Sequence, residues 1–88
     1  MHMEQNNGFY TQLCSDLSFE GMVVEVCFGS QLIAQVNYEK GIDQIEIEFF
    51  PETISKIFFK ISEFIEILEK AKNIALRCAK EDEQRESY

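Results

Sequence analysis

The apolar pattern of this chain changes period once. Up to about residue 60 hydrophobic side chains alternate with polar ones, two residues per repeat. After that they recur every three to four residues to about residue 80. The first period belongs to strands and the second to a helix. A chain with one helix and several strands can bury one sheet face under that helix. The expected fold is therefore α+β: an antiparallel β-meander of three to five strands packed on one C-terminal α-helix. At 88 residues it is one domain with a modest core.

Composition, Gly and Pro mark the elements. Residues 9–14 favour a short strand, and Ser15, Asp16 and Ser18 a turn. Residues 21–28 form a strand with Val24, Val26 and Phe28 on one face and Val23, Glu25 and Cys27 on the other. Gly29-Ser30 suits a two-residue hairpin into a strand over 31–38. There Leu32, Ala34, Val36 and Tyr38 are expected opposite Ile33, Gln35 and Asn37. Glu39-Lys40-Gly41 turns into a strand over 43–50, with Ile45, Ile47 and Phe49 inward and Gln44, Glu46 and Glu48 outward. Pro51 ends it, because proline cannot continue a ladder. Residues 55–60 read as a further strand or as the entry to the helix.

The helix is expected from Glu63 to about Lys80, with Ser62 as N-cap. Its apolar stripe is Phe64, Ile67, Leu68, Ala71, Ile74, Ala75 and Cys78. Ile65 and Leu76 lie off that stripe, as lone exposed residues or as a dimer contact. Residues 1–8 read as a disordered leader, 9–80 as the α+β domain, and 81–88 as a frayed, charged tail.

Charge divides the chain unevenly. Residues 1–52 carry nine acids against one base, Lys40. Residues 53–88 carry seven of each, so the formal net charge of −8 belongs to the sheet half. Charge asymmetry of this kind speaks of association with a basic partner; the plainer alternative is solubility. Glu25, Gln35, Asn37, Glu46 and Glu48 are expected on the sheet face that the helix does not cover. Glu39, Asp43 and Glu52 would rim it from the turns. Such a face, polar with a few apolar centres, suits either solvent or a protein partner.

Other functions find little support. Cys14, Cys27 and Cys78 are odd in number and lack CxxC spacing, so neither a disulfide framework nor a zinc site is expected. The single histidine, His2, sits in an opening Met1-His2-Met3 that reads as an added start. No His-dependent nucleophile follows. The four glycines lack phosphate-loop spacing, and the carboxylates do not match a calcium loop. No catalytic activity, cofactor or metal is expected. The bases are interleaved with acids, which disfavours nucleic acid. No apolar run approaches a membrane span.

Three stretches carry a resemblance: LCSDLSFEGMVVEVCF (13–28), LIAQVNYEKGIDQIEIEFF (32–50) and ISEFIEILEKAK (61–72). Together they resemble small bacterial immunity or orphan-immunity proteins of polymorphic toxin systems of the contact-dependent inhibition type. The resemblance covers about three quarters of the chain. It implies a cytoplasmic inhibitor that binds a cognate toxin, with a basic nuclease as the toxin that suits an acidic face. A homo-oligomeric adaptor using the open face or an edge strand is the alternative. A regulator whose acids imitate DNA phosphates is a third.

Overall fold

The computed structural model describes residues 8–53 and 58–86. Four strands come first: β1 (Phe9–Ser15), β2 (Met22–Phe28), β3 (Gln31–Asn37) and β4 (Glu46–Phe49). A single turn of 3-10 helix (Pro51–Thr53) and the helix α1 (Ile61–Glu86) follow. The strands form one antiparallel sheet in the order β1-β2-β3-β4, a meander, with α1 on one face. The α+β architecture is the expected one. The described residues contain no helix long and apolar enough to cross a membrane.

The connections explain the order. Gly29 has φ +61°, and among the described residues no non-glycine residue, Ser30 included, has positive φ, so the Gly29-Ser30 link has the type II′ pattern. That turn matches strand twist, and Phe28 pairs with Gln31 directly across it. Residues 38–41 and 41–44 form two successive turns, each closed by a backbone hydrogen bond of 3.0–3.1 Å. These turns consume the start of the expected 43–50 strand, and pairing begins only at Glu46.

One irregularity changes the face assignments. Val26 pairs with Ala34, but Cys27 pairs with Leu32, so Ile33 is an extra residue in β3. A bulge of this kind reverses side-chain parity beyond it. Ile33 joins the helix-side core at 4% exposure, and Leu32 sits across from Cys27. The sequence expectation, Leu32 inward and Ile33 outward, is corrected on this point. On the side of the bulge that holds the pairs Val24–Val36 and Val26–Ala34, the assignments stand for all four residues.

Helix α1 buries Ile67, Ala71, Ala75, Cys78 and Ala79, with Phe64, Leu68 and Ile74 partly covered. Small alanines at the centre let the helix backbone approach the sheet closely. At its N-terminal end Phe64 meets Phe9 and Phe59, which in turn meet Phe28, with ring-centroid separations of 4.7–5.9 Å within the group. Rings at such distances attract beyond their area burial, by about 0.5–1.5 kcal/mol a pair. The carbonyl of Lys60 accepts the amides of Glu63 and Phe64. Lys60 therefore occupies the N-cap position, and Ser62 lies inside the first turn rather than capping it.

The helix packs on β1, β2 and β3 and not on β4. Ile47 and Phe49 point toward the helix side as expected, yet remain 39% and 49% exposed. Residues 55–57 of the expected further strand lie outside the described residues, as do 1–7 of the leader; residues 58–60 are neither strand nor helix. Residues 81–86, expected as frayed tail, continue the helix. Two features favour this. Glu, Gln and Arg are good helix formers, and Asp82 is tied to the sheet by the Tyr38 hydroxyl.

Candidate acidic interface

The face away from the helix is built from Tyr10, Gln12 and Cys14 of β1, Val23, Glu25 and Cys27 of β2, Leu32, Gln35 and Asn37 of β3, and Glu46 and Glu48 of β4. Much of it is not open. Asp16 follows β1, yet its Oδ2 accepts a hydrogen bond from Gln35 Nε2 on β3 at 3.1 Å. The β1–β2 loop therefore folds across β2. Its shape is held by Asp16 Oδ1, which accepts the amide of Ser18 at 2.8 Å. These bonds hold the Asp16 carboxyl below the usual carboxylate range, the Ser18 amide contributing most. Val23 is fully buried, and Cys27 is 5% exposed.

Burial corrects two expected contact residues. Gln35 and Asn37 are 6% and 7% exposed. Gln35 is bonded to Asp16, and Asn37 Oδ1 accepts the amide of Glu39 at 3.1 Å. Both are structural amides. For Gln35 the sequence could not reveal this, because the loop's path across β2 depends on a side-chain contact between residues nineteen apart.

The acids separate into two groups. On the far face, Gln12, Glu25, Gln35 and Glu48 form one row across all four strands. Glu25 is half-buried and accepts a hydrogen bond from Gln12 at 3.2 Å. Gln35 stands between it and Glu48, a separation of two strand spacings, about 10 Å. Glu46 and Glu48 are both exposed on β4. Glu46 is paired with Lys40 at 2.9 Å, so the one base of the sheet half is engaged there. Both partners are solvent-exposed, and such pairs stabilise by at most about 1 kcal/mol. Glu48 has no ion-pair partner among the described residues.

The second group was not foreseen. A cleft of about 410 Å³ lies where the loop before β2, the β3–β4 turn and the last turns of α1 converge. Glu20, Glu39, Asp82 and Glu83 line it with Gly21, Tyr38 and Ile42, and its described lining includes no Lys or Arg. Of these acids only Glu39 was expected at a site. Asp82 and Glu83 fell in the stretch read as tail. The available signal was spacing: Asp82 lies four residues beyond Cys78 and three beyond Ala79, on the continuation of the buried stripe.

Tyr38 organises the cleft. Its hydroxyl donates to Asp82 Oδ2 at 2.6 Å and accepts the Met22 amide at 3.0 Å. Burial, then the bond to Asp82, pushes its pKa up to about 12. Glu39 accepts the Glu20 amide at 3.2 Å, closing the rim. Asp43 and Glu52 are exposed in the turn before β4 and in the 3-10 turn after it, and they do not line the cleft.

The carboxylates of this cleft give it a negative field that attracts positively charged groups. Burial pushes the thiols of Cys27, Cys78 and Cys14 upward, which disfavours thiolate. Among the described residues no group of three or more His, Cys, Asp or Glu is placed to hold a metal ion. The fold and surface define a small α+β protein with an acidic cleft at one end and an acidic, partly apolar edge strand. Comparisons with protein-family models, with curated proteins and with solved structures returned no match.

Proposed function

We propose that this protein is an immunity protein that binds and neutralises a cognate bacterial toxin in the cytoplasm, and that the toxin is a basic nuclease. The observation that carries the reading is the exposed carboxylate surface of the sheet half and the cleft. Glu48, Glu39, Glu20 and Glu83 are exposed, and Asp82 is half-buried. The single base of the sheet half, Lys40, is already paired with Glu46. A nuclease cleft must be basic to hold phosphate, and an acidic surface of this size steers such a partner into encounter. The contact set is Glu39, Glu46, Glu48, Asp43 and Glu52 with the cleft acids, while Glu25 supports the sheet face. Gln35 and Asn37 drop out of it because they are buried.

The test begins with the neighbouring gene, expected to encode a secreted protein with a toxic C-terminal domain. Co-expression with this chain should restore growth, and the purified pair should form a complex. Glu46→Lys with Glu48→Lys should weaken that complex about a hundredfold or more, chiefly in association at low salt. Failure of the wild-type chain to protect cells or bind the toxin would overturn the reading. So would full affinity in the folded double variant.

A further inference from the structure

We propose that the outer edge of β4, with which no described strand pairs, docks an extended segment of a basic partner, in which Lys or Arg alternates with apolar residues. This rests on the acidic-interface reading above and names the chemistry of the segment that would be bound.

β4 is the last strand of the sheet. The Phe50 amide donates to the Ile33 carbonyl at 3.0 Å, one step beyond the Ala34–Phe49 pair. Hydrogen-bonded and non-hydrogen-bonded pairs alternate along an antiparallel ladder. Glu48 with Gln35 and Glu46 with Asn37 are thus the bonded pairs. By the same alternation, the N–H and C=O groups of Ile47 and Phe49 point away from β3, toward the edge. The Ile47 and Phe49 side chains project to the helix side but stay exposed, because α1 stops short of β4. Glu46 and Glu48 project to the other side and are also exposed.

An added strand would complete this pattern. Its residues opposite Ile47 and Phe49 would exchange backbone bonds and cover them with apolar side chains. Its neighbours would set Lys or Arg against Glu48 and, in exchange for Lys40, against Glu46. Strand addition of this type takes affinity from the main chain and specificity from alternate side chains.

A second copy of the chain is a poor occupant. Pairing the two Ile47 residues across a two-fold axis sets Glu46 opposite the copy's Glu48, and the reverse. Like charges directly opposite destabilise a strand pair. Pro51 prevents the register from sliding toward the C-terminal side. The acids therefore guard the edge against its own kind and leave it open to opposite charge.

The test uses an octapeptide alternating Lys and Val, with two controls N-methylated on the Val or on the Lys amides. The unmodified and Lys-methylated peptides should bind. The Val-methylated peptide, which lacks the donors facing β4, should bind about tenfold or more weakly. Amide exchange at Ile47 and Phe49 should slow by a similar factor on binding. Equal affinity for all three peptides with unchanged exchange would overturn edge pairing and leave the acidic-interface reading standing. Binding of none would overturn both. Concentration-dependent protection of β4 without peptide would make a second copy the occupant and overturn the proposal.

Discussion

At the scale of single residues, one oxygen joins three segments. The Tyr38 hydroxyl bonds the helix through Asp82 and the start of β2 through Met22. Tyr38→Phe leaves the part-buried Met22 amide without that acceptor, a change that costs about 1–3 kcal/mol. Denaturant unfolding with an unchanged slope should show it. The same substitution has a pH signature. The folded pKa of about 12 lies above the ordinary 10.0, so the tyrosine's contribution is complete below pH 10.0. It is lost as pH rises toward about 12. The gap between wild type and Tyr38→Phe should shrink across that window; a constant gap would refute the linkage. Gly21 is part of the same arrangement. A Cβ there would stand 2.6 Å from the Tyr38 hydroxyl oxygen and 2.7 Å from Cζ. Gly21→Ala should therefore cost at least as much as Tyr38→Phe, since it displaces a ring held at both ends.

At the scale of elements, the bulge in β3 makes a sharp forecast. Regular alternation would bury Leu32 and expose Ile33. The observed register does the opposite to Ile33, which is 4% exposed in the core. Ile33→Ala should cost about 2–5 kcal/mol, as buried large-to-small changes do. Leu32→Ala, at a half-buried site, should cost clearly less. The reverse order of the two midpoints would mean that the register is wrong. This is also where legibility ended. Binary alternation located β2, β3 and the helix stripe, because those signals are local and repeat several times. It had no means of placing one extra residue, since LIAQV reads equally well with or without a bulge. The tail failed for a related reason: its helical continuation depends on Asp82 meeting Tyr38, forty-four residues away. The acidic edge was legible in Glu46 and Glu48 because neither depends on a distant partner for its placement. The cleft was not, because it exists only where three separate segments meet.

At the scale of the whole molecule, charge acts in two directions that salt can separate. A net charge of −8 on 88 residues repels itself, which disfavours the compact state. In the described structure few ion pairs offset this: Lys40–Glu46 and Glu69–Lys72 are both exposed. Salt shortens the screening length from about 30 Å at 0.01 M to about 3 Å at 1 M. The acids of the cleft, Glu20, Glu39, Asp82 and Glu83, share one depression at the end of the sheet. Screening should relieve their mutual repulsion, so the melting temperature of the free protein should rise with sodium chloride. Capture of a basic partner should respond in the opposite sense, because the same screening removes the attraction that steers encounter. The association rate with the alternating Lys–Val peptide should fall over the salt range in which the melting temperature rises, by about tenfold or more. Calorimetry of the free protein and stopped-flow mixing with the peptide read the two arms separately. A rate insensitive to salt, beside a melting temperature that rises, would mean that the acids shape the stability of this protein without steering its association. Opposite slopes would tie the cost of concentrating carboxylates on the sheet half to the binding of a positively charged partner.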